Sequence, residues 1–386
     1  MSTSRRLLFT LAAPLAAVVF ALAISALVLV VSGHNPLVAF RELYEYLTAT
    51  RNGELRNQIT IVNRAVPLYL AAVAVAIGFR MNLFNIGVEG QYRFAGLIAA
   101  WVGASIALPA VIHLPVIILT AMLVGALWAG LAGLLKVGRG VSEVISTIML
   151  NYVAFALIQW LLQDHLRSTG DAAQGLGAKT DEIPASGRMP SLNPVFEAIG
   201  LDMPGGRNSL YGFLAVAIVL GIAFHVLLNR TRFGYDLRAT GLNAPAARAA
   251  GVKTSRMVVQ AMVLSGAVAG LIGLPQLLGN TYFYDEAFPA GFGFEGIAVA
   301  LLGRNRPIGM GVAALLFGFL NAASGALQLE DIPPEVVKIM QAIILLAADV
   351  AYEVVRRLAE AAEVKAAAEK LERERDSRLA PVGAGV

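Results

Sequence analysis

The chain has 386 residues, 57% of them hydrophobic and 15% charged, with a net charge of +4 and no cysteine, and its mean hydropathy is +0.69. That balance excludes an ordinary soluble domain, and the missing cysteine excludes disulfides, thiol catalysis and Cys-ligated metals. Apolar runs of helix length recur along the chain, which predicts an all-α integral membrane protein of an energy-coupled inner membrane rather than a barrel of short alternating strands.

Arg5 and Arg6 precede an apolar run over 7–31, read as a retained first span with the N-terminus inside. Residues 1–58 then form an N-terminal helix and an external segment, in which 36–48 has the pattern of a short amphipathic surface helix. The transmembrane core follows over 59–355, with spans expected near 59–79, 91–110, 114–137, 142–162, 209–228, 257–278, 292–302, 308–327 and 336–352. Residues 356–386 form a charged, alanine-rich tail. With the N-terminus inside, every basic turn falls on the cytoplasmic side: 136–140, 229–256, 304–306 and 356 onward. The balanced or acidic loops, including the long loop 163–208, then fall outside, so about ten spans with both termini cytoplasmic satisfy the positive-inside rule. Aromatic residues of the external stretch 279–291 read as an interface belt.

One stretch departs from the apolar pattern. Arg80-Met-Asn-Leu-Phe-Asn-Ile-Gly-Val-Glu-Gly-Gln91 is too polar for lipid and too apolar for a solvated loop, and its Gly-x-Glu-Gly recurs at Gly293-Phe-Glu-Gly296 beside another short apolar segment. Glycine-interrupted polar breaks in corresponding halves point to discontinuous helices around a transport site. Five crossings separate the two breaks, so spans 2–5 and 7–10 form an inverted repeat. In the fifth span Glu143, Thr147 and Asn151 recur at i, i+4, i+8, a polar stripe that faces protein or a cavity. Glu89, Glu143 and Glu295 lie nearest membrane depth; such carboxylates either carry protons or cap broken helices and pair with Arg80 or Arg93.

No Gly-x4-Gly-Lys-Ser/Thr phosphate loop and no His-Glu-x-x-His occurs, and the four histidines have no ligand spacing, so neither enzyme activity nor a metal site is expected. The basic loop 229–256 reads as a helical turn, a glycine break, an Asn243 N-cap and a short alanine-rich helix ending at Gly251. Such short helices suit docking into a partner's groove, and the partner would be the motor that this chain lacks.

Four motifs together carry a resemblance: Phe84-Asn-Ile-Gly-Val-Glu-Gly-Gln91, Val141-Ser-Glu-Val-Ile-Ser-Thr-Ile-Met-Leu-Asn-Tyr152, Arg238-Ala-Thr-Gly-Leu-Asn243 with Ala246, Ala247 and Gly251, and Gly291-Phe-Gly-Phe-Glu-Gly-Ile-Ala298. Over roughly 60–355 the chain resembles permease subunits of ABC importers of the branched-chain amino acid, ribose and nucleoside branch, and is most similar to the nucleoside (guanosine/purine) type. The resemblance implies a permease paired with a second, different permease, two ABC ATPase subunits that bind ATP and Mg, and an external substrate-binding lipoprotein. No cofactor is implied in this chain; membrane lipids surround it and nucleic acid plays no part. It implies an ATPase-coupling segment built on Gly234, Arg238, Gly241, Asn243, Ala247 and Gly251. Along the substrate path Phe84, Phe292 or Phe294 would stack on a base, Asn85, Glu89, Gln91 and Asn151 would hydrogen-bond base or ribose, and Glu295 would lie beside them. A permease for ribose-type sugars and an ion- or proton-coupled carrier acting alone are the alternatives.

Overall fold

The computed structural model describes residues 19–49, 55–169 and 177–379, and among them it is helical, with one isolated bridge between Lys179 and Asp285. Residues 1–18 of the expected first span lie outside the described residues; its remainder is helix α1, Val19–Val31. The surface helix α2 runs Pro36–Thr48, and α3 (Arg56–Phe79), α4 (Val88–Ser105), α5 (Ala110–Arg139) and α6 (Glu143–Asp164) follow. After the long loop and its short helix α7 (Asn193–Glu197) come α8 (Phe213–Arg230), α9 (Arg232–Leu242), α10 (Ala244–Ala249) and α11 (Thr254–Ala269). The chain closes with α12 (Leu274–Gln276), α13 (Phe292–Leu302), α14 (Pro307–Leu329) and α15 (Pro334–Leu379).

Among the described residues six helices are long and apolar enough to cross a bilayer: α3, α5, α6, α8, the stretch Thr254–Thr281 and α14. The other expected crossings fall on α1, α4, α13 and the start of α15. Helix α4 carries Glu89 and Arg93 near its start, and α13 has only 11 residues, about 17 Å at 1.5 Å per residue and little more than half a hydrocarbon core. This is an all-α integral membrane protein with discontinuous helices.

Residues 42–326 form one compact unit. At its centre is α3, whose residues 65–68 and 70–78 are buried on every face, as expected of a helix apolar all round. The two halves exchange partners around it: α11 packs on α3 and α5, while α13 packs on α3 and α4. In return α14 reaches back to α3, where Gly318 sits against the backbone of Ile61 and Ala65. Each half therefore buries helices of the other. Among the described residues the second unit comprises 19–41 and 327–379. Within it a ring nitrogen of His34 bonds the Asp331 carbonyl at 2.9 Å, and α15, 46 residues in all, runs without interruption past the expected start of the tail at 356.

The closest seam joins α5 to α11. A Cβ on Gly125 would lie 2.2 Å from the Gly266 carbonyl oxygen, and one on Gly270 would lie 2.1 Å from that of Ala121. Lipid tails are as apolar as leucine, so helices in a bilayer associate by close packing, and small residues four apart permit it.

The span expected over 257–278 is not one continuous helix. It breaks at 270–273, resumes as α12 and ends in a π-helical turn, Leu277–Thr281. Gly270, Gly273 and Pro275 account for the break, because proline removes a donor and its ring obstructs the preceding turn. The aromatic belt expected over 279–291 is in part core: Tyr284 and Phe288 are buried, their ring centroids 4.3 Å apart, and Phe288 fills the notch between Gly96 and Gly273. The long loop is stitched to the same stretch by backbone bonds from Met189 to Leu278, Ile183 to Tyr282 and Thr180 to Tyr284.

Gly266→Leu should therefore cost about 3 kcal/mol or more by overpacking, read as a fall in the thermal midpoint of the purified protein. Gly138→Ala, where nothing lies within 4 Å of the new methyl group, should leave that midpoint unchanged.

Candidate functional site

The polar break begins where α3 ends. At Arg80 the chain turns, Asn82 adopts a left-handed φ of 57°, and the backbone folds back along α3 so that Leu83 O lies against Gly78. The fold-back is fixed by Asn85, which is 1% exposed. Its Oδ1 accepts from Gly87 N (3.1 Å) and Gln91 Nε2 (2.9 Å). Its Nδ2 donates to Gln91 Oε1 (3.0 Å) and Ser265 Oγ (2.9 Å), and Ser265 in turn donates to the Ala74 carbonyl of α3 at 2.7 Å. One amide pair thus ties α3, α4 and α11 together.

Helix α4 starts inside the protein at Val88, and α13 starts beside it. A Cβ on Gly293 would lie 2.5 Å from the Glu89 nitrogen, so only glycine admits this approach. Helix N-termini present backbone N–H groups without intrahelical partners, and Glu89 satisfies one of those of α13 together with the N–H of its N-cap Gly291. Its carboxylate accepts from Gly291 N at 2.8 Å and from Gly293 N at 2.9 Å, and the Tyr92 hydroxyl lies 3.0 Å from Oε1 and 2.8 Å from the Pro289 carbonyl. Neither expected arginine pairs with it: Arg80 donates to the Asn305 carbonyl, and Arg93 lies over the Phe155 ring.

The remaining path residues divide into two groups. Asn151, also buried, accepts from Gly90 N at 2.9 Å and donates to the Ile86 carbonyl at 3.0 Å. Glu143, Thr147 and Asn151 are all buried, with Glu143 paired to Lys136. Glu295 accepts from Asn321 of α14 at 2.8 Å. Asn85, Glu89, Gln91 and Asn151 therefore have their polar groups engaged within the protein. By contrast Phe84 is 46% and Phe294 51% exposed, while Phe292 packs 6.3 Å from Tyr92.

On the basic face α9 and α10 lie end to end after α8. The Thr231 side chain caps α9 and Asn243 caps α10, each accepting from the backbone three residues on. Most of the expected coupling residues face inward. Arg238 donates to the Leu228 carbonyl and so locks α9 onto the end of α8. Gly234 packs on the backbone of Leu227 and Leu228, Gly241 on Arg80 and Met81, and Ala247 is buried. Gly251 closes α10 with a left-handed φ of 90° and open space around it. What this pair presents outward is Leu242, 88% exposed, and Tyr235, 65% exposed. Sequence reasoning missed both; an apolar residue directly before an N-cap was the available signal.

On the opposite, long-loop face a pocket of about 390 Å³ is lined by Ser191, Asn193, Glu197, Tyr211 and Tyr282 among others. Nearby, burial raises the Asp285 carboxyl above its ordinary value.

The chain is similar to several characterised proteins. It is 36% identical over 340 residues to the guanosine ABC transporter permease protein NupP of Bacillus subtilis, covering 86% of this chain and 91% of that one. It is 31% identical to the glucose ABC transporter permease protein TsgB13 of Haloferax volcanii (86% and 85% covered), and 29% identical to the nucleoside ABC transporter permease protein NupB of Lactococcus lactis (92% and 94% covered).

Glu89→Ala should leave the α13 N-terminus without an acceptor and cost about 3 kcal/mol, measured by thermal unfolding. Glu89→Gln, which keeps one acceptor oxygen, should lose roughly half as much. The family model for the branched-chain amino acid transport system permease component matches residues 57–348, and with folded halves and broken helices of this kind the chain belongs to that family of membrane permeases.

Proposed function

We propose that this chain is one permease of an ATP-driven importer for nucleosides in a bacterial inner membrane, with both termini cytoplasmic. It works with a second permease, with two ATPase subunits that bind ATP and Mg beneath α9 and α10, and with an external binding protein that delivers substrate to the long-loop face. ATP closes the motors, α9 and α10 move with them, and the paired permeases open toward the binding protein; hydrolysis returns the path to its inward-open state.

The observation that carries this reading is the α9–α10 pair. An 88%-exposed leucine on a short helix bound to its own protein is apolar surface available to a partner's groove. Through Gly241 the pair rests on Arg80 and Met81, the root of the fold-back that ends at Glu89. A push on α9 therefore meets the polar break directly. In the path itself Phe84 and Phe294 are the stacking surfaces, and the buried amides behind them set their positions. The relatives named for guanosine and nucleosides support the substrate class. The relative named for glucose favours a second reading, import of sugars, since an aromatic face accepts a sugar ring as well as a base.

In the assembled complex, Leu242→Asp should lower substrate-stimulated ATPase activity at least about thirtyfold, the loss of one 2 kcal/mol anchor, with the thermal midpoint of the permease unchanged. Full stimulation in that variant would overturn the docking role. Phe294→Ala should reduce guanosine uptake by about tenfold and ribose uptake far less; equal losses for both favour the sugar reading.

A further inference from the structure

A groove of about 1160 Å³ runs between α3, α8 and the turn from α13 into α14, within the 42–326 unit, and the transport reading makes no use of it. Its lining extends along α8 from Leu214 to Asn229, about 22 Å at 1.5 Å per residue and longer than the ~15 Å apolar half-thickness of a bilayer. Most of the walls are aliphatic: Ile218 is 55%, Ile222 59% and Leu315 46% exposed. The chemistry changes at one end only. There the lining carries Arg80, Arg304, Arg306 and His225, and among the described residues no aspartate or glutamate lines the groove.

Arg80 donates from Nη2 to the Asn305 carbonyl at 2.8 Å, while its Nε and the Asn305 Oδ1 are buried without hydrogen-bond partners. The guanidiniums of Arg238 and Arg306 repel it. Arg304 and Asn305 hold successive left-handed φ angles of 55° and 53°, which non-glycine residues rarely adopt. The chain thus keeps a strained turn and brings the like charges of Arg80, Arg238 and Arg306 together at the mouth of an apolar channel. Basic pockets between membrane helices match anionic headgroups.

We propose that this groove holds one anionic phospholipid, its acyl chain along α8 and its phosphate among Arg80, Arg304 and Arg306. The apolar length accounts for the chain, the cationic end for the headgroup, and the bound anion offsets the repulsion between the guanidiniums. A zwitterionic lipid supplies the first fit but not the second.

The test is native mass spectrometry of the full-length chain in detergent, with equimolar phosphatidylglycerol and phosphatidylethanolamine. The wild type should retain one phosphatidylglycerol with at least about tenfold preference. Arg304→Gln combined with Arg306→Gln should reduce that preference to about threefold or less, and the corresponding double lysine variant should keep it. Gly311→Leu, which fills the wall where the nearest atom to a new Cβ is Tyr69 at 3.8 Å, should weaken retention of both lipids about equally. Unchanged preference in the glutamine variant overturns the proposal. So does displacement of the lipid by millimolar inorganic phosphate, which would make the cluster a plain anion site, or failure of the complete transporter complex to retain phosphatidylglycerol, which would assign the groove to another subunit.

Discussion

Two helices of this protein begin inside its packed interior and begin against each other. Each N-terminus carries unpaired N–H groups and the equivalent of about half a positive charge, so α4 and α13 placed together repel in a medium that screens little. Glu89 removes both difficulties. It lies in the first turn of α4, where an anion is favourable, and its two oxygens accept from Gly291 and Gly293 at the start of α13. One carboxylate serves as counter-charge for two dipoles and as cap for one helix. The irregular backbone around it is tolerable at membrane depth because protein, not lipid, surrounds it.

The joints on either side of that carboxylate are of two kinds. Between α5 and α11 backbone meets backbone through Gly125, Gly266 and Gly270, and contacts of that closeness have no room to slide. Around the fold-back, by contrast, α3, α4 and α11 are held by side-chain amides and a serine, Asn85, Gln91 and Ser265. Hydrogen bonds of this sort exchange partners at small net cost, whereas a packed glycine seam opens only by losing its contacts. In the proposed transport cycle the rigid seam would stay fixed and the polar joint would be the place that rearranges. The polar joint is also the one that Gly241 of α9 reaches, through Arg80 and Met81.

Much of this was legible in the residues because it is local. The interruption after α3, the 11-residue α13, the amphipathic α2 and the polar face Glu143, Thr147, Asn151 each follow from composition over a few turns. What escaped was nonlocal or directional. Glu89 is recognisable as a buried carboxylate, but its partners lie 202 and 204 residues away, and no spacing rule reaches that far. Tyr284 and Phe288 had the composition of an interface belt; they became core because two glycines on different elements left a notch of their size. Arg238 sits in a basic loop and reads as a surface charge, yet it turns inward to the Leu228 carbonyl. Leu242 carried no reading of its own, and it is among the most exposed side chains described.

The same division bears on how a proposed path of this kind would treat its cargo. Polar groups that a sequence reading would offer to a substrate, Asn85, Gln91 and Asn151, already hold backbone and each other. Withdrawing them would leave buried donors and acceptors unpaired, at about 1–3 kcal/mol each. The exposed groups are the rings of Phe84 and Phe294, which offer stacking without directional hydrogen bonds. A surface of that type binds planar solutes weakly and lets them go, and a passage supplied by a separate binding protein requires no more, since tight holding at mid-membrane would slow release. In the proposed assembly most of the selectivity would then lie upstream, with the delivering protein, and the permease would add the stacking preference of its rings, timing and a seal.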